Sequence, residues 1–422
     1  MKIGYACTLA NPIYGRMKTC RMKDVNEERL QELIAHNLGV LEQMMNYNVR
    51  NQIQLFRISS DLIPFGSSEV NRLPWWELFQ EQLEEIGELA RKNQIRLSMH
   101  PGQYTVLNSA DEQVVARAVE DLIYHCRVLD AMKLDFSNKI ILHIGGVYHN
   151  REQAIQRFES NYSRLPESVK RRLVIENDDR SYSAAEVLQL AKRMKIPMVF
   201  DVFHHKVLPS KEDWSFLQWM DKIKETWKDS DGNAKIHFSM QAENKKPGAH
   251  SQTIDVIQFL EFVNNIQDRE IDIMLEVKDK NVSALKCMLV TSQKPNVSLV
   301  ETEWGRYKYW LLEHSHSHYL KARERIRYKE SGYMTELLKT IQEGLLLPPT
   351  IGSKVNAGMH VWGYFKDRAT DMEKRKYEKL ITGIQEENQK VETLKKFLWK
   401  MTLKYEQNYL MESYYFIISG EE

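Results

Sequence analysis

The feature that most constrains this chain is an alternation. Short runs rich in Ile, Val, Leu and Phe recur eight times, at residues 2–6, 53–59, 95–99, 139–144, 173–175, 197–200, 235–238 and 271–275, with longer amphipathic stretches between them. Within 26–45, for example, Leu30, Leu33, Ile34, Leu38 and Leu41 return at helical spacing, and 75–92 reads the same way. Strand and helix in alternation imply a parallel sheet, because a strand reaches a parallel neighbour only through a crossover. Eight repeats within about 290 residues fit a closed (β/α)8 TIM barrel better than an open doubly wound sheet. The expected fold is therefore α/β, with the barrel over residues 1–290. From about Leu299 the strand runs stop and the pattern is helical, with a turn at Leu347-Pro348-Pro349, so an all-α C-terminal domain is expected over 300–422. A chain of 422 residues also exceeds the roughly 250–300 residues at which one core stops growing.

Composition excludes several classes. Hydrophobic residues at 42% and charged residues at 28% describe a globular chain able to bury a core, not a disordered one. Lys and Arg number 59 against 58 Asp and Glu, so any nucleic-acid site has to be a local patch and not a basic tail. No uncharged apolar run reaches the roughly 18 residues of a membrane span, and the N-terminus enters a strand without a leader, so a cytoplasmic protein with no membrane segment is expected. Cys7, Cys20, Cys126 and Cys287 are scattered, with no Cys-x-x-Cys pair. They read as reduced thiols, not as a zinc knuckle or a disulfide framework.

The C-terminal ends of the eight runs carry polar residues: Tyr5, Arg57 with Ser59, His100, His143, Glu176, Asp201, His237 and Glu276. One polar residue at a strand end is as often structural as functional. Eight in succession, on the face where barrels of this kind build their sites, argue for function. His204 and His250 join the set, giving His100, His143, Glu176, Asp201, His204, His237, His250 and Glu276 as candidate metal ligands. Imidazole with carboxylate suits borderline divalent ions such as Zn2+, Mn2+ and Fe2+. One ion takes about three or four protein ligands, so eight imply two or three. An isolated Asp-x-x-His such as Asp201 and His204 would read as a helix cap, and the adjacent His205 is the weaker candidate. Paired ions suit phosphodiester hydrolysis, with Glu176 as the bridge between them.

Lys235 stands two residues before His237, so on a strand both side chains face the same way. A protonated lysine there would repel cations. The hypothesis is that Lys235 is deprotonated and carbamylated into a further anionic ligand.

These residues lie in motifs that resemble one family, the UV damage endonucleases, with relatives among the apurinic endonucleases on the same barrel. The motifs are Gly4-Tyr5, Arg57-Ile58-Ser59-Ser60-Asp61, Ser98-Met99-His100-Pro101-Gly102-Gln103-Tyr104, His143-Ile144-Gly145-Gly146, Ile175-Glu176-Asn177-Asp178, Asp201-Val202-Phe203-His204-His205, Lys235-Ile236-His237-Phe238-Ser239, Gly248-Ala249-His250 and Leu275-Glu276-Val277-Lys278, in order over about residues 1–290. The resemblance implies an ATP-independent nick immediately 5′ of cyclobutane dimers and 6-4 photoproducts, leaving a 3′-hydroxyl and a 5′-phosphate, with related activity at abasic sites. It implies a monomer acting on double-stranded DNA with two or three divalent ions, Mn2+ as the expected species and Zn2+ or Mg2+ as alternatives. Glu176, Lys235 and His237 would be catalytic. Gln103 and Tyr104 would probe the duplex and Tyr5 would contact the extruded photoproduct, whose flipping is cheaper where stacking is already lost. Asn11 is the nearest candidate for the family's lesion-contacting asparagine, out of ungapped register. Some members carry a further histidine where this chain reads Asp61-Leu62-Ile63-Pro64-Phe65-Gly66-Ser67-Ser68, so one metal is expected to have a weaker ligand set.

The rival reading is a metal-dependent sugar isomerase or epimerase on the same barrel, with Glu176, Asp201, His237 and Glu276 around one ion. It leaves His100, His143, His204 and His250 without a role. A metal-stabilised scaffold with no enzymatic activity is weaker, since structural metal sites rarely crowd a catalytic face. The C-terminal part, through Tyr307-Lys308-Tyr309, Glu313-His314-Ser315, Tyr319, Asn356, His360 and Gly363-Tyr364-Phe365, resembles a bacterial domain of uncharacterised function. Its Trp304, Tyr307, Tyr309, Trp310, Tyr319, Tyr328 and Tyr333 read as core in preference to stacking platforms. His314 and His318 would share a helix face, solvated in preference to metal-bound.

Overall fold

The computed structural model describes residues 1–266, 270–294, 296–329 and 332–417. Eight strands, β1 (Ile3–Ala6), β2 (Leu55–Ile58), β3 (Arg96–Met99), β4 (Lys139–His143), β5 (Leu173–Glu176), β6 (Met198–Asp201), β7 (Ala234–Phe238) and β8 (Ile271–Leu275), pair in parallel and in sequence order. β1 pairs with both β2 and β8, which closes the barrel. Each strand falls on one of the eight apolar runs. Helices occupy the crossovers, among them Glu27–Arg50, capped by Asn26, and Glu112–Ala131, capped by Asp111, as orphan amides at a helix start require.

Register fixes which side chains enter the barrel. Ala6 stands opposite Arg57, His143 opposite Glu176, Asp201 opposite His237, and Lys235 opposite Asp272. With a period of two these residues point inward, and Tyr5, opposite Phe56 and Leu275, points outward. At Gly4 an added Cβ would sit 1.9 Å from the Leu55 carbonyl oxygen, so the β1–β2 approach requires glycine.

The barrel interior is layered. At the N-terminal end Arg96 pairs with Asp272 at 2.9 Å and donates to the carbonyls of Ser137, Asn233 and Asp231. Beside it Lys139 donates to Asp231 at 2.5 Å and to the Arg171 carbonyl. Removing one member of such a buried pair costs about 3–5 kcal/mol. An apolar layer follows, including Ile141, Val174 and Val199 on one side and Ala6, Leu55 and Met274 on the other. The acids and imidazoles stand above it.

The chain forms two compact units, and they are not divided by a single cut between 290 and 300. The barrel unit is Met1–Thr8, Gly15–Ile254 and Phe262–Ala284. The second unit gathers Leu9–Tyr14, Asp255–Glu261 and Leu285–Glu422. Its helices include Val297–His314, His316–Tyr328, Tyr333–Leu345, Ile351–Trp362, Asp371–Gln385 and Val391–Lys404. They enclose a core of Tyr309, Leu312, Val361, Phe365, Leu394 and Leu398. Tyr307 and Tyr309 are buried, whereas Tyr328 is exposed. Ser315 ends one helix and caps the next, so His314 and His318 do not share one continuous helix face. His314 Nδ1 instead meets the Leu347 carbonyl and His318 Nδ1 the Ser315 hydroxyl. Among the described residues no helix is long and apolar enough to cross a membrane.

Candidate metal centre

Glu176 ends β5 with 1% of its surface exposed, and four imidazoles converge on its carboxylate. His237 Nδ1 lies 2.7 Å from Oε1 and His204 Nδ1 4.0 Å from the same oxygen. His100 Nε2 lies 3.0 Å and His143 Nε2 3.7 Å from Oε2. Strand parity turns His143 and His237 inward within β4 and β7 and His100 inward just after β3, and the short helix after β6 brings in His204. Burial alone would raise the Glu176 pKa, but His237 and His143 more than reverse that and hold the carboxylate well below its ordinary range.

Asp201 ends β6 and starts the short helix Val202–Val207. Its Oδ1 accepts from the His204 backbone amide at 2.6 Å, so it does cap a helix. Its Oδ2 is buried with no hydrogen-bond partner among the described residues and lies 3.5 Å from His204 Nδ1. One oxygen orders the turn and the other faces the cluster. Burial pushes Asp201 up to about 7. Burial opposes a charge on His204, but Asp201 and Glu176 lift it to about 9. His100 goes the other way, lowered by burial to about 4. His205 turns from the cluster to pack on Phe200 and Trp219.

Glu276 follows β8 and approaches His237 Nδ1 at 3.2 Å. It also pairs with Arg57 of β2. β1 lies between those strands, and its inward residues, Gly4 and Ala6, are small enough for Arg57 to reach across. Burial would raise Glu276, but Arg57 and His237 reverse it and lower its pKa. His250 Nδ1 meets the Glu276 carbonyl at 2.7 Å, and its ring centroid is 6.2 Å from that of His204.

Three overlapping groups place their donor atoms within 4.8 Å of one another: His100, Glu176 and His237; Glu176, Asp201 and His204; Asp201, His237 and Glu276. His143 and His250 border them. His143 Nδ1, Asp201 Oδ2 and His237 Nε2 are buried polar atoms without hydrogen-bond partners among the described residues. Buried polar groups are normally satisfied, so this donor set fits divalent cations. Lys235, fully buried two residues below His237, has no partner for Nζ among the described residues. Burial first, then Arg96, drives its pKa well below the ordinary lysine value.

The residues expected to touch DNA separate in the structure. Gln103 and Tyr104 stand exposed on the loop after β3, Tyr104 at 71%. Tyr5 is fully buried, its ring tilted 57° against that of Phe56 at 5.0 Å, and its hydroxyl donates to Asn48 of the helix Glu27–Arg50 at 2.8 Å. It faces the helical layer, because strand alternation turns it from the barrel interior. Asn11 is 1% exposed, and its amide donates to the Glu412 carbonyl at 3.0 Å within the second unit. Neither position is open to a nucleotide in this conformation. Two residues had received no role from the sequence. Arg57, marked only as a polar strand end, restrains Glu276. Asn177 clasps Asp201, donating to its carbonyl at 3.0 Å and accepting from its amide at 2.9 Å. Its own carbonyl meets His204 Nδ1. The signal for Asn177 was its place directly after Glu176.

The sequence profile of the family described as UV-endonuclease UvdE matches residues 1–303, and that of a protein of unknown function, DUF1722, matches 308–418. Over 417 residues the chain is 38% identical to the UV DNA damage endonuclease of Clostridium perfringens (strain 13 / Type A), covering 96% of this chain and 97% of that one. It is 34% identical over 267 residues to the UV DNA damage endonuclease of Bacillus cereus (strain Q1), covering 63% and 83%. The crystal structure of SacUVDE superposes with a TM-score of 0.64 at 38% identity, covering 68% of this chain and 96% of that one.

Proposed function

The chain belongs to the UV-endonuclease UvdE family, and on that footing we propose that it nicks double-stranded DNA on the 5′ side of UV photoproducts, leaving a 3′-hydroxyl and a 5′-phosphate, with related activity at abasic sites. The observation that carries this reading is the convergence of four imidazoles on the buried carboxylate of Glu176. Two or three divalent ions held there, with Mn2+ expected and Zn2+ or Mg2+ as alternatives, would supply an activated water and a counter-charge for the leaving oxygen.

The protein's own groups prepare that site. Glu176 and Asp201 present buried oxygens, and His100, His143, His204, His237 and His250 present ring nitrogens, with Glu276 held in place by Arg57. Asn177 fixes the backbone of Asp201, which limits the geometries available to its free oxygen. Lys235 is neutral by virtue of its burial and carries an added carboxyl group that would join the ligands from below. Gln103 and Tyr104 are the exposed groups that read the duplex at the lesion. The protein works as a cytoplasmic monomer, and a sugar isomerase reading would need only one ion per chain.

The test incubates the purified protein and Mn2+ with UV-irradiated supercoiled plasmid beside an unirradiated control. Conversion of only the irradiated plasmid to nicked circles is expected. Equal nicking of both plasmids, or of neither, would overturn the reading.

A further inference from the structure

Behind the exposed loop that follows β3 lies a buried set of side chains that the metal cluster does not use. The helix Glu112–Ala131 presents Asp121, Tyr124 and His125 on one face, at the i, i+3 and i+4 spacing that brings side chains together. His125 is fully buried, and Asp121 and Tyr124 nearly so. His125 Nδ1 lies 2.7 Å from the Asp121 carbonyl. A carbonyl only accepts, so that nitrogen carries the hydrogen and Nε2 is left as an acceptor. Nε2 stands 2.9 Å from the Ser60 hydroxyl, whose single hydrogen goes either to that nitrogen or to the His100 carbonyl 2.8 Å away, one at a time. Tyr124 holds the Ser60 backbone, donating to its carbonyl at 2.9 Å. At the far end of the same loop the Thr105 hydroxyl donates to Asp121 Oδ2 at 2.6 Å.

One helix face thus grips both ends of the 100–105 loop. His100, at its start, is a candidate ligand. Gln103 and Tyr104, in its middle, are exposed, and Thr105, at its end, is buried. Within the loop, the Thr105 amide donates to the Gly102 carbonyl at 2.9 Å and His100 Nδ1 lies 3.1 Å from the Pro101 carbonyl. A loop so short, fixed at both ends, has its middle placed by where those ends are held.

We propose that Ser60, His125 and Asp121 form a positioning bracket that sets Gln103 and Tyr104 at a fixed height and angle relative to His100, so that lesion probing and metal binding share one rigid reference. These are positioning residues, acting through the loop and not on the DNA. The proposal rests on the reading that Gln103 and Tyr104 meet the lesion.

The experiment compares Thr105→Val, Thr105→Ser, Ser60→Ala and the Thr105→Val, Ser60→Ala double variant in steady-state nicking of a duplex with a single photoproduct, with thermal melting alongside. Thr105→Val removes the hydroxyl at constant shape. It is expected to raise KM about fivefold to tenfold, the scale of one lost hydrogen bond, with kcat held within about twofold. Thr105→Ser, which keeps the hydroxyl, is expected to restore KM. Ser60→Ala is expected to raise KM and also to lower kcat, because the His100 backbone is released. The double variant is expected to fall short of the product of the two KM effects, since both break one bracket. KM unchanged in both single variants would overturn the bracket. So would equal KM for Thr105→Ser and Thr105→Val, or full multiplicativity in the double variant. Wild-type protein that fails to nick the lesion duplex counts against the endonuclease reading instead, and is distinguished by that control.

Discussion

Glu176 Oε1 lies 2.7 Å from Nδ1 of His237, across a strand pair that is not adjacent, with both side chains closed to solvent. A charged carboxylate at that point holds several imidazoles at once. Glu176→Gln keeps the shape and removes the charge. Bound metal, measured by elemental analysis, should fall, and nicking should drop by about 100-fold or more. Full activity with unchanged metal content would defeat the role given to Glu176.

The pH response of the metal-free protein follows from His204. Its pKa of about 9 in the folded state lies above the ordinary value near 6.5, so its stabilising contribution is fully present below about 6.5. It is lost as pH rises through about 9. Asp201, raised to about 7, acts in the same direction. In EDTA, the Tm difference between wild type and His204→Asn should narrow between pH 6.5 and 9.5. A difference that stays constant across that range would contradict this account.

Lys235 buries an amine with no hydrogen-bond partner among the described residues. Lys235→Met replaces it with an apolar chain of similar length, which removes a desolvation cost of roughly 1–3 kcal/mol. In EDTA, where no ion holds an added carboxyl group, Tm should hold or rise; with Mn2+, nicking should fall at least about tenfold, and the intact mass of native wild type should show one added carboxyl group. Unaltered activity and metal content in the variant, with no added mass in wild type, would reduce Lys235 to a packing residue.

Tyr5→Phe should act on stability alone. The lost hydrogen bond leaves Asn48 Oδ1 in the core, at a cost of about 1–3 kcal/mol. Cleavage of damaged plasmid at 25 °C should remain within about twofold of wild type. A selective loss of cleavage without a change in Tm would return Tyr5 to the lesion site.

Exposure makes the opposite forecast for the 100–105 loop. Tyr104→Ala touches no core contact and should alter stability by no more than about 0.5 kcal/mol, yet raise KM for the photoproduct duplex. An unchanged KM would remove Tyr104 from lesion probing.

The barrel was legible because its two periods, two for strands and 3.6 for helices, repeat eight times, and because the polar residues stand at one end of each run. The inward direction of most of them followed from the same parity. The direction of Tyr5 needs its sheet partners as well as its own run: Arg57 and Glu276 point inward, so Tyr5, opposite Phe56 and Leu275, points outward. The Arg57 and Glu276 pair was hidden for another reason. It spans β1, and only closure of the barrel makes β2 and β8 near neighbours. Ser315 broke the expected histidine face because a capping serine outweighs a periodic pattern. Asn11 carried no periodic signal at all, since its burial depends on a residue 401 positions away.

The second unit draws its pieces from the start, the middle and the end of the chain. During synthesis the segment Leu9–Tyr14 leaves the ribosome hundreds of residues before Glu412, whose carbonyl and carboxylate bind Asn11 and Tyr14. Domains tend to fold as they emerge, but this one is incomplete until the last turns of helix appear. The β1 strand can enter the sheet early, while the loop after it waits without its hydrogen bonds. A release of the chain before residue 412 would yield a barrel whose first loop has lost its anchor, so arrest or proteolysis near the C-terminus is felt at the opposite end of the sequence.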